Sequence, residues 1–88
     1  MTLRMADCHS LKEKRKIIKS IIARSQNSFN ASIAEISLND VHQQAQIGFA
    51  VVGNDRRFIN STMDKLIEFI GNLQLADLID SSFEIMNI

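Results

Sequence analysis

Two groups of basic side chains in the sequence have residue types and spacing suited to binding phosphate groups. The first group lies in the run 12–19, and the second is the pair Arg56 and Arg57. Guanidinium and ammonium groups bind phosphate oxygens, and the free N–H groups of a helix N-terminus attract the same anions. Because each group falls where a helix is predicted to begin, the sequence predicts an anion- or RNA-binding site made of Ser10, Lys12, Lys14, Arg15, Lys16, Lys19, Asn54, Arg56 and Arg57.

The lysines of the first group differ in their position on the predicted helix. At 100° per residue, Lys12, Lys16 and Lys19 lie within about 60° of one another, opposite an apolar stripe that contains Ile18. This face is either an ordinary solvated surface or a surface that follows RNA phosphates, and the sequence leaves both open. Lys14 falls inside the apolar stripe, so we expect its ammonium group to reach solvent or to meet an anion.

The acidic neighbours of these bases support a competing interpretation. Glu13 and Asp55 lie beside the two basic groups. Exposed ion pairs worth less than about 1 kcal/mol would neutralise the bases locally. The sequence does not decide between local pairing and a shared anion site.

Patterns for enzymatic chemistry are weak. The chain has neither a phosphate-binding glycine loop nor a dinucleotide-binding motif. A nucleophilic triad of Asp7, His9 and Ser10 would have to form between sequence neighbours. We therefore expect a non-enzymatic protein with no catalytic residue, no cofactor and no metal. A metal site would require Cys8, His9 and His42 to converge with Asp7 or Asp40.

The composition is that of a single globular domain covering residues 1–88. The sequence is 45% hydrophobic and 23% charged, too short for a second domain and too apolar for disorder. Its net charge is zero, yet residues 1–25 hold seven of the ten basic side chains and two of the ten acidic ones. Without an apolar span or a secretory signal, and with one cysteine, the chain is expected in the cytoplasm.

Hydrophobic periodicity predicts the elements that must position these side chains. Ser10 and Glu13 form an S-x-x-E capping box at the start of the first helix. Gly71 is the predicted C-cap of the second helix. The predicted order is strand Thr2–Ala6, helix from Ser10 to about Ser25, strand Phe29–Leu38 with a bulge near Ala34 and Glu35, strand Ala45–Val52, helix from Asn54 or Asp55 to Gly71, and strand Leu78–Ile85.

This order predicts an α+β, ferredoxin-like βαββαβ fold. A four-stranded antiparallel sheet would carry both helices on one face. We expect the first and third strands to be parallel neighbours at its centre. Since each helix follows one of these strands, both helix N-termini would then open at the same end of the sheet and bring the two basic groups together.

Three blocks of the sequence, taken in order, resemble the YlxP-like family. They are the runs Cys8–Arg15, Phe29–Glu35 and Val51–Arg57. This family comprises small bacterial proteins of unassigned function, and the resemblance implies a ferredoxin-like fold. Family genes often neighbour genes for translation initiation and ribosome maturation, which implies a role near RNA. Relatives begin with a longer first strand, so either this chain has further residues upstream or the centre of its sheet is partly unfilled.

The sequence and the resemblance together favour an RNA- or ribosome-associated accessory protein whose partner is rRNA or a ribosomal subunit, with no membrane. One alternative is a small-molecule phosphate enzyme or sensor at the same end of the fold. Another is a structural module that forms a homodimer through the open face of the sheet. That face is expected to present Thr2, Arg4, Gln46, Gly48 and Ala50.

Overall fold

The computed structural model describes residues 1–5, 8–38 and 41–86. It contains two helices and four strands in the predicted order. The elements are β1 (Thr2–Arg4), α1 (Leu11–Ser28), β2 (Ser32–Ser37), β3 (Gln44–Ala50), α2 (Arg56–Asn72) and β4 (Asp77–Asp80). The strands form one antiparallel sheet in the order β2-β3-β1-β4, which confirms the α+β, ferredoxin-like class.

The core lies between one face of the sheet and the two helices. Leu3 and Ile47 from the central strands are fully buried in one cluster with Ile21 of α1 and with Leu66 and Ile70 of α2. Because both helices contribute to the same cluster, they cover the same face of the sheet. The opposite face carries the alternate strand residues, which include Arg4 and Gln46, as the sequence predicted.

The expected parallel pairing of β1 and β3 is wrong. The two strands are antiparallel, with Thr2 opposite Gln46 and Arg4 opposite Gln44. Each strand–helix–strand crossover makes β1 parallel to β2 and β3 parallel to β4, but the hairpin between β2 and β3 reverses the chain once. The helices α1 and α2 therefore begin at opposite ends of the sheet.

Both helices extend further than predicted. The first continues through Ser28, where the Phe29 N–H donates to the Ser25 carbonyl at 2.8 Å. The polar run 26–28 is exposed on the last helical turn and is not a loop. The second passes through Gly71 to Asn72, with Leu73 as the C-cap, so the expectation that Gly71 ends this helix is wrong. Gln74, with a φ of 56°, makes the turn that follows.

The strands are shorter than predicted. The register shift in β2 falls between Glu35 and Ser37, just after the predicted bulge. The expected strand to Ile85 ends at Asp80, which pairs with Thr2 at the start of β1. Residues 81–86 form no further pairs with β1. The predicted end of the first strand at Ala6 lies outside the described residues.

Candidate functional site

The N-terminus of α1 is capped by its own side chains. Ser10 Oγ accepts a hydrogen bond from the Glu13 N–H at 3.1 Å, and Glu13 Oε2 accepts one from the His9 N–H at 2.9 Å. The predicted capping box is therefore present, with the carboxylate reaching one residue further back than the cap residue. Glu13 forms no ion pair with a basic side chain among the described residues.

Lys14 is an internal residue and not part of an exposed cationic surface. Its side chain is 1% exposed, and its Nζ lies 2.9 Å from Glu35 Oε2. The ammonium group also donates a hydrogen bond to the Leu38 carbonyl. The contact with Glu35 is a charge interaction without hydrogen-bond geometry, since Oε2 has no hydrogen-bond partner. Of the two outcomes expected for Lys14, solvent or an anion, the ammonium group meets a carboxylate of the protein itself.

The Lys14 contacts fix the end of β2. Leu38 has a φ of 62°, a left-handed conformation that costs a residue with a Cβ about 1–2 kcal/mol. Its carbonyl accepts from the Val41 N–H at 3.0 Å as well as from Lys14. Lys14 thus joins the first turn of α1 to the connection between β2 and β3.

The remaining bases of the first group form an exposed face on α1. Lys12, Arg15, Lys16 and Lys19 are all exposed and span about 100° of the helix surface. Along the axis they cover about 10 Å at 1.5 Å per residue. Within residues 1–5, 8–38 and 41–86, none of these four side chains is in an ion pair. We call this surface the α1 basic face.

The second group lies at the start of α2. Asn54, Arg56 and Arg57 are exposed there. The cap is Asp55, one of the two predicted candidates, and its Oδ1 accepts from the Arg57 N–H at 2.9 Å. No ion pair ties Asp55 to either arginine in the described part of the chain. The local neutralisation weighed from the sequence is thus absent at both helix starts among these residues.

The structure does not bring the two basic groups together. Lys14 contacts Leu38, just beyond the C-terminal end of β2, whereas Ser32 at the other end of β2 pairs with Ala50, the residue that ends β3 before α2. About 20 Å of extended chain separates Leu38 from Ser32. The expected convergence of both helix openings at one pole is therefore wrong, because it assumed parallel central strands.

The partner of Lys14, Glu35, was not predicted from the sequence. Glu35 was noted only as a position where the strand alternation slips, but its place opposite Ile47 directs it toward the helices. The signal in the sequence is a carboxylate at a strand position whose side chain points toward the core. Such a carboxylate is a candidate partner for a lysine on the buried face of a helix. The two are 21 positions apart in the sequence, so pairing them requires the α1–β2 packing.

Within the described ranges, the other reactive side chains do not assemble into a site. Cys8 is buried, and its Sγ donates to the Ser10 carbonyl at 3.3 Å. No three His, Cys, Asp or Glu side chains of the described residues are grouped to hold a metal ion. Asp7 and Asp40, considered as ligands from the sequence, lie outside those residues. No described helix is long and apolar enough to cross a membrane.

Comparison with known proteins places this chain in a family. Residues 1–83 match the family described as "Protein of unknown function (DUF503)". The chain is 41% identical over 64 residues to "Uncharacterized protein YlxP" of Bacillus subtilis (strain 168), covering 73% of this chain and 70% of that protein. The resemblance seen in the sequence blocks is thereby confirmed. The chain belongs to the DUF503 family, the family of the YlxP-like proteins, whose function is unknown.

Proposed function

We propose that this protein is a non-enzymatic, cytoplasmic accessory protein that binds RNA phosphates through the α1 basic face. One observation carries the proposal. Four exposed cationic side chains lie on one side of a single helix, and none is paired with a carboxylate among the described residues. A rigid row of cations is suited to the regularly spaced phosphates of an RNA strand.

The proposal assigns different roles to the residues of the predicted site. Lys12, Arg15, Lys16 and Lys19 contact phosphates, whereas Lys14 holds the fold together through Glu35. Asn54, Arg56 and Arg57 form a separate patch at the other end of the sheet. Aromatic stacking is not part of the mechanism, because the chain has no Tyr or Trp and the described open-face strand positions hold no Phe. Binding of this kind depends on backbone charge and is independent of base sequence.

The test compares two double charge reversals that change the net charge by the same amount. Lys12→Glu with Lys16→Glu alters the α1 basic face, and Arg56→Glu with Arg57→Glu alters the start of α2. All four positions are exposed, so both variants are expected to fold. Affinity for a short single-stranded RNA and co-sedimentation with ribosomal subunits are measured at low salt.

We expect the α1 variant to lose about tenfold or more in affinity for RNA, because two phosphate contacts become repulsive. The α2 variant should bind nearly as well as the unmodified protein. Undetectable RNA binding by the unmodified protein would contradict the proposal. Equal losses in both variants would show that net charge, and not the α1 basic face, controls the interaction.

A further inference from the structure

An apolar hollow lies where α1 ends and α2 begins. Two large apolar side chains at this place are strongly exposed, Val52 by 88% and Phe58 by 61%. Together with the half-buried Phe29 and Val51 they line a hollow of about 220 Å³. Exposed apolar side chains that are clustered, and not scattered singly, mark interaction surfaces. We call this feature the Phe58 hollow.

The walls of the Phe58 hollow are held in place by packing. The ring of Phe29 packs edge-on against Phe69 of α2, with 5.4 Å between the ring centroids. An added Cβ at Gly53 would lie 3.0 Å from the Ile59 side chain, so the turn after β3 approaches the first turn of α2 closely. This close approach keeps Val52 beside the helix. The hollow therefore exists before any ligand binds, which lowers the entropic cost of binding.

Two arginines without ion-pair partners lie beside the Phe58 hollow. Arg56 and Arg57 directly precede Phe58 on α2, and both are exposed. Arg56 and Val52 also line one adjoining hollow of about 300 Å³, so the first turn of α2 carries its cations next to the exposed valine. In the part of the chain that the structure describes, neither arginine is in an ion pair.

Carboxylates are scarce in the segments that form the hollow. The runs 25–34, 50–54 and 56–63 contain no Asp or Glu. Asp55 lies between two of these runs, but its Oδ1 is engaged as the cap of α2 and accepts from the Arg57 N–H at 2.9 Å. An apolar hollow with a cationic rim is complementary to a ligand that carries an apolar side chain between carboxylates.

We propose that the Phe58 hollow binds an acidic segment of a partner protein. One apolar side chain of the segment fills the hollow against Phe29 and Phe58, and the carboxylates beside it pair with Arg56 and Arg57. A volume of about 220 Å³ holds a single side chain of the size of leucine or phenylalanine. The contact is small, so the complex is transient. This site is separate from the α1 basic face and does not depend on RNA binding.

The first experiment titrates the ¹⁵N-labelled protein with the peptide acetyl-Glu-Asp-Phe-Asp-Glu-amide at low salt. The amide resonances of Val52 and Phe58 should shift, whereas that of Val41, which bonds to Leu38 at the other end of the sheet, should not. A control peptide with alanine at its centre keeps the charge and should bind about tenfold more weakly, because the apolar anchor is lost. A second control peptide with lysine at the four acidic positions keeps the anchor and should bind more weakly still. Unmoved Val52 and Phe58 amides at millimolar peptide, or a control peptide that binds as tightly, would overturn the proposal.

Variants of the protein locate the site. Phe58→Ser removes an exposed wall of the hollow and should weaken binding of the acidic peptide about tenfold. The matched control Val41→Ser changes an apolar side chain that is 43% exposed elsewhere and should leave binding unchanged. Arg56→Glu with Arg57→Glu should abolish binding of this peptide and retain RNA binding, which separates the Phe58 hollow from the α1 basic face. Unchanged peptide affinity in the Phe58 variant or in the arginine variant would contradict the proposal.

Two other occupants of the hollow have distinct signatures. If sedimentation shows a dimer that Phe58→Ser abolishes, a second copy of the chain covers the hollow. If single-stranded RNA shifts the Phe58 amide and the acidic peptide does not, the hollow is part of an RNA-binding surface. Either result would show that an acidic segment of a partner protein is the wrong ligand.

Discussion

Lys14 shows how a single residue can resemble part of a binding site in the sequence and serve the fold in the structure. It lies among lysines that are exposed, yet its angle on α1 directs it to Glu35 and Leu38. The sequence established that it belongs to the buried stripe. It could not identify the partner, because that carboxylate comes from a strand brought near only by folding.

Replacing Lys14 with methionine should destabilise the protein by about 2–4 kcal/mol, because Glu35 is left without its counter-charge inside the protein. The double variant Lys14→Met with Glu35→Leu should recover a large part of this loss, since it removes both charges together. Urea unfolding monitored by circular dichroism measures both. A single variant as stable as the unmodified protein, or a double variant less stable than the single one, would contradict the assigned role of this ion pair.

Among the helices and strands, the prediction and the structure differ clearly at Gly71, which was expected to end α2. Glycine near the end of an apolar repeat typically marks a helix C-cap. Here the left-handed residue is Gln74, and Gly71 lies inside α2, where an added Cβ would meet no neighbouring side chain within 4 Å. The helix continues because Leu73 still packs against the core.

Gly71→Ala should therefore stabilise the protein by about 0.5–1 kcal/mol, the gain expected for alanine over glycine inside a helix. Thermal unfolding should show a higher Tm for the variant. A lower Tm would mean that Gly71 needs a conformation that alanine cannot adopt, as a C-cap would.

Element types and order were predictable from periodicity, whereas the ends of the strands were not. The apolar spacing of Phe83 and Ile85 is compatible with a strand, but residues 81–86 form no ladder. A strand needs a partner of matching length, and that length is a property of the sheet.

At the scale of the whole molecule, chain direction decides which charges cooperate. Residues 1–25 are rich in basic side chains, but the antiparallel central strands separate the two basic groups. Lys12 and Arg56 lie at the starts of helices that begin at opposite ends of the sheet. The predicted order of elements already implies this separation, because two crossovers joined by one hairpin make β1 and β3 antiparallel. The arginines of α2 therefore lie away from the α1 basic face.

The most direct test of this account is the salt dependence of RNA binding. For a single strand, the slope of log K against log salt is about −0.7 for each phosphate neutralised, so four cations give about −3. The variant Lys12→Gln with Lys16→Gln and Lys19→Gln should reduce the magnitude of the slope by about 2. Arg56→Gln with Arg57→Gln should leave it unchanged. A slope reduced by the α2 variant and unchanged by the α1 variant would contradict the account.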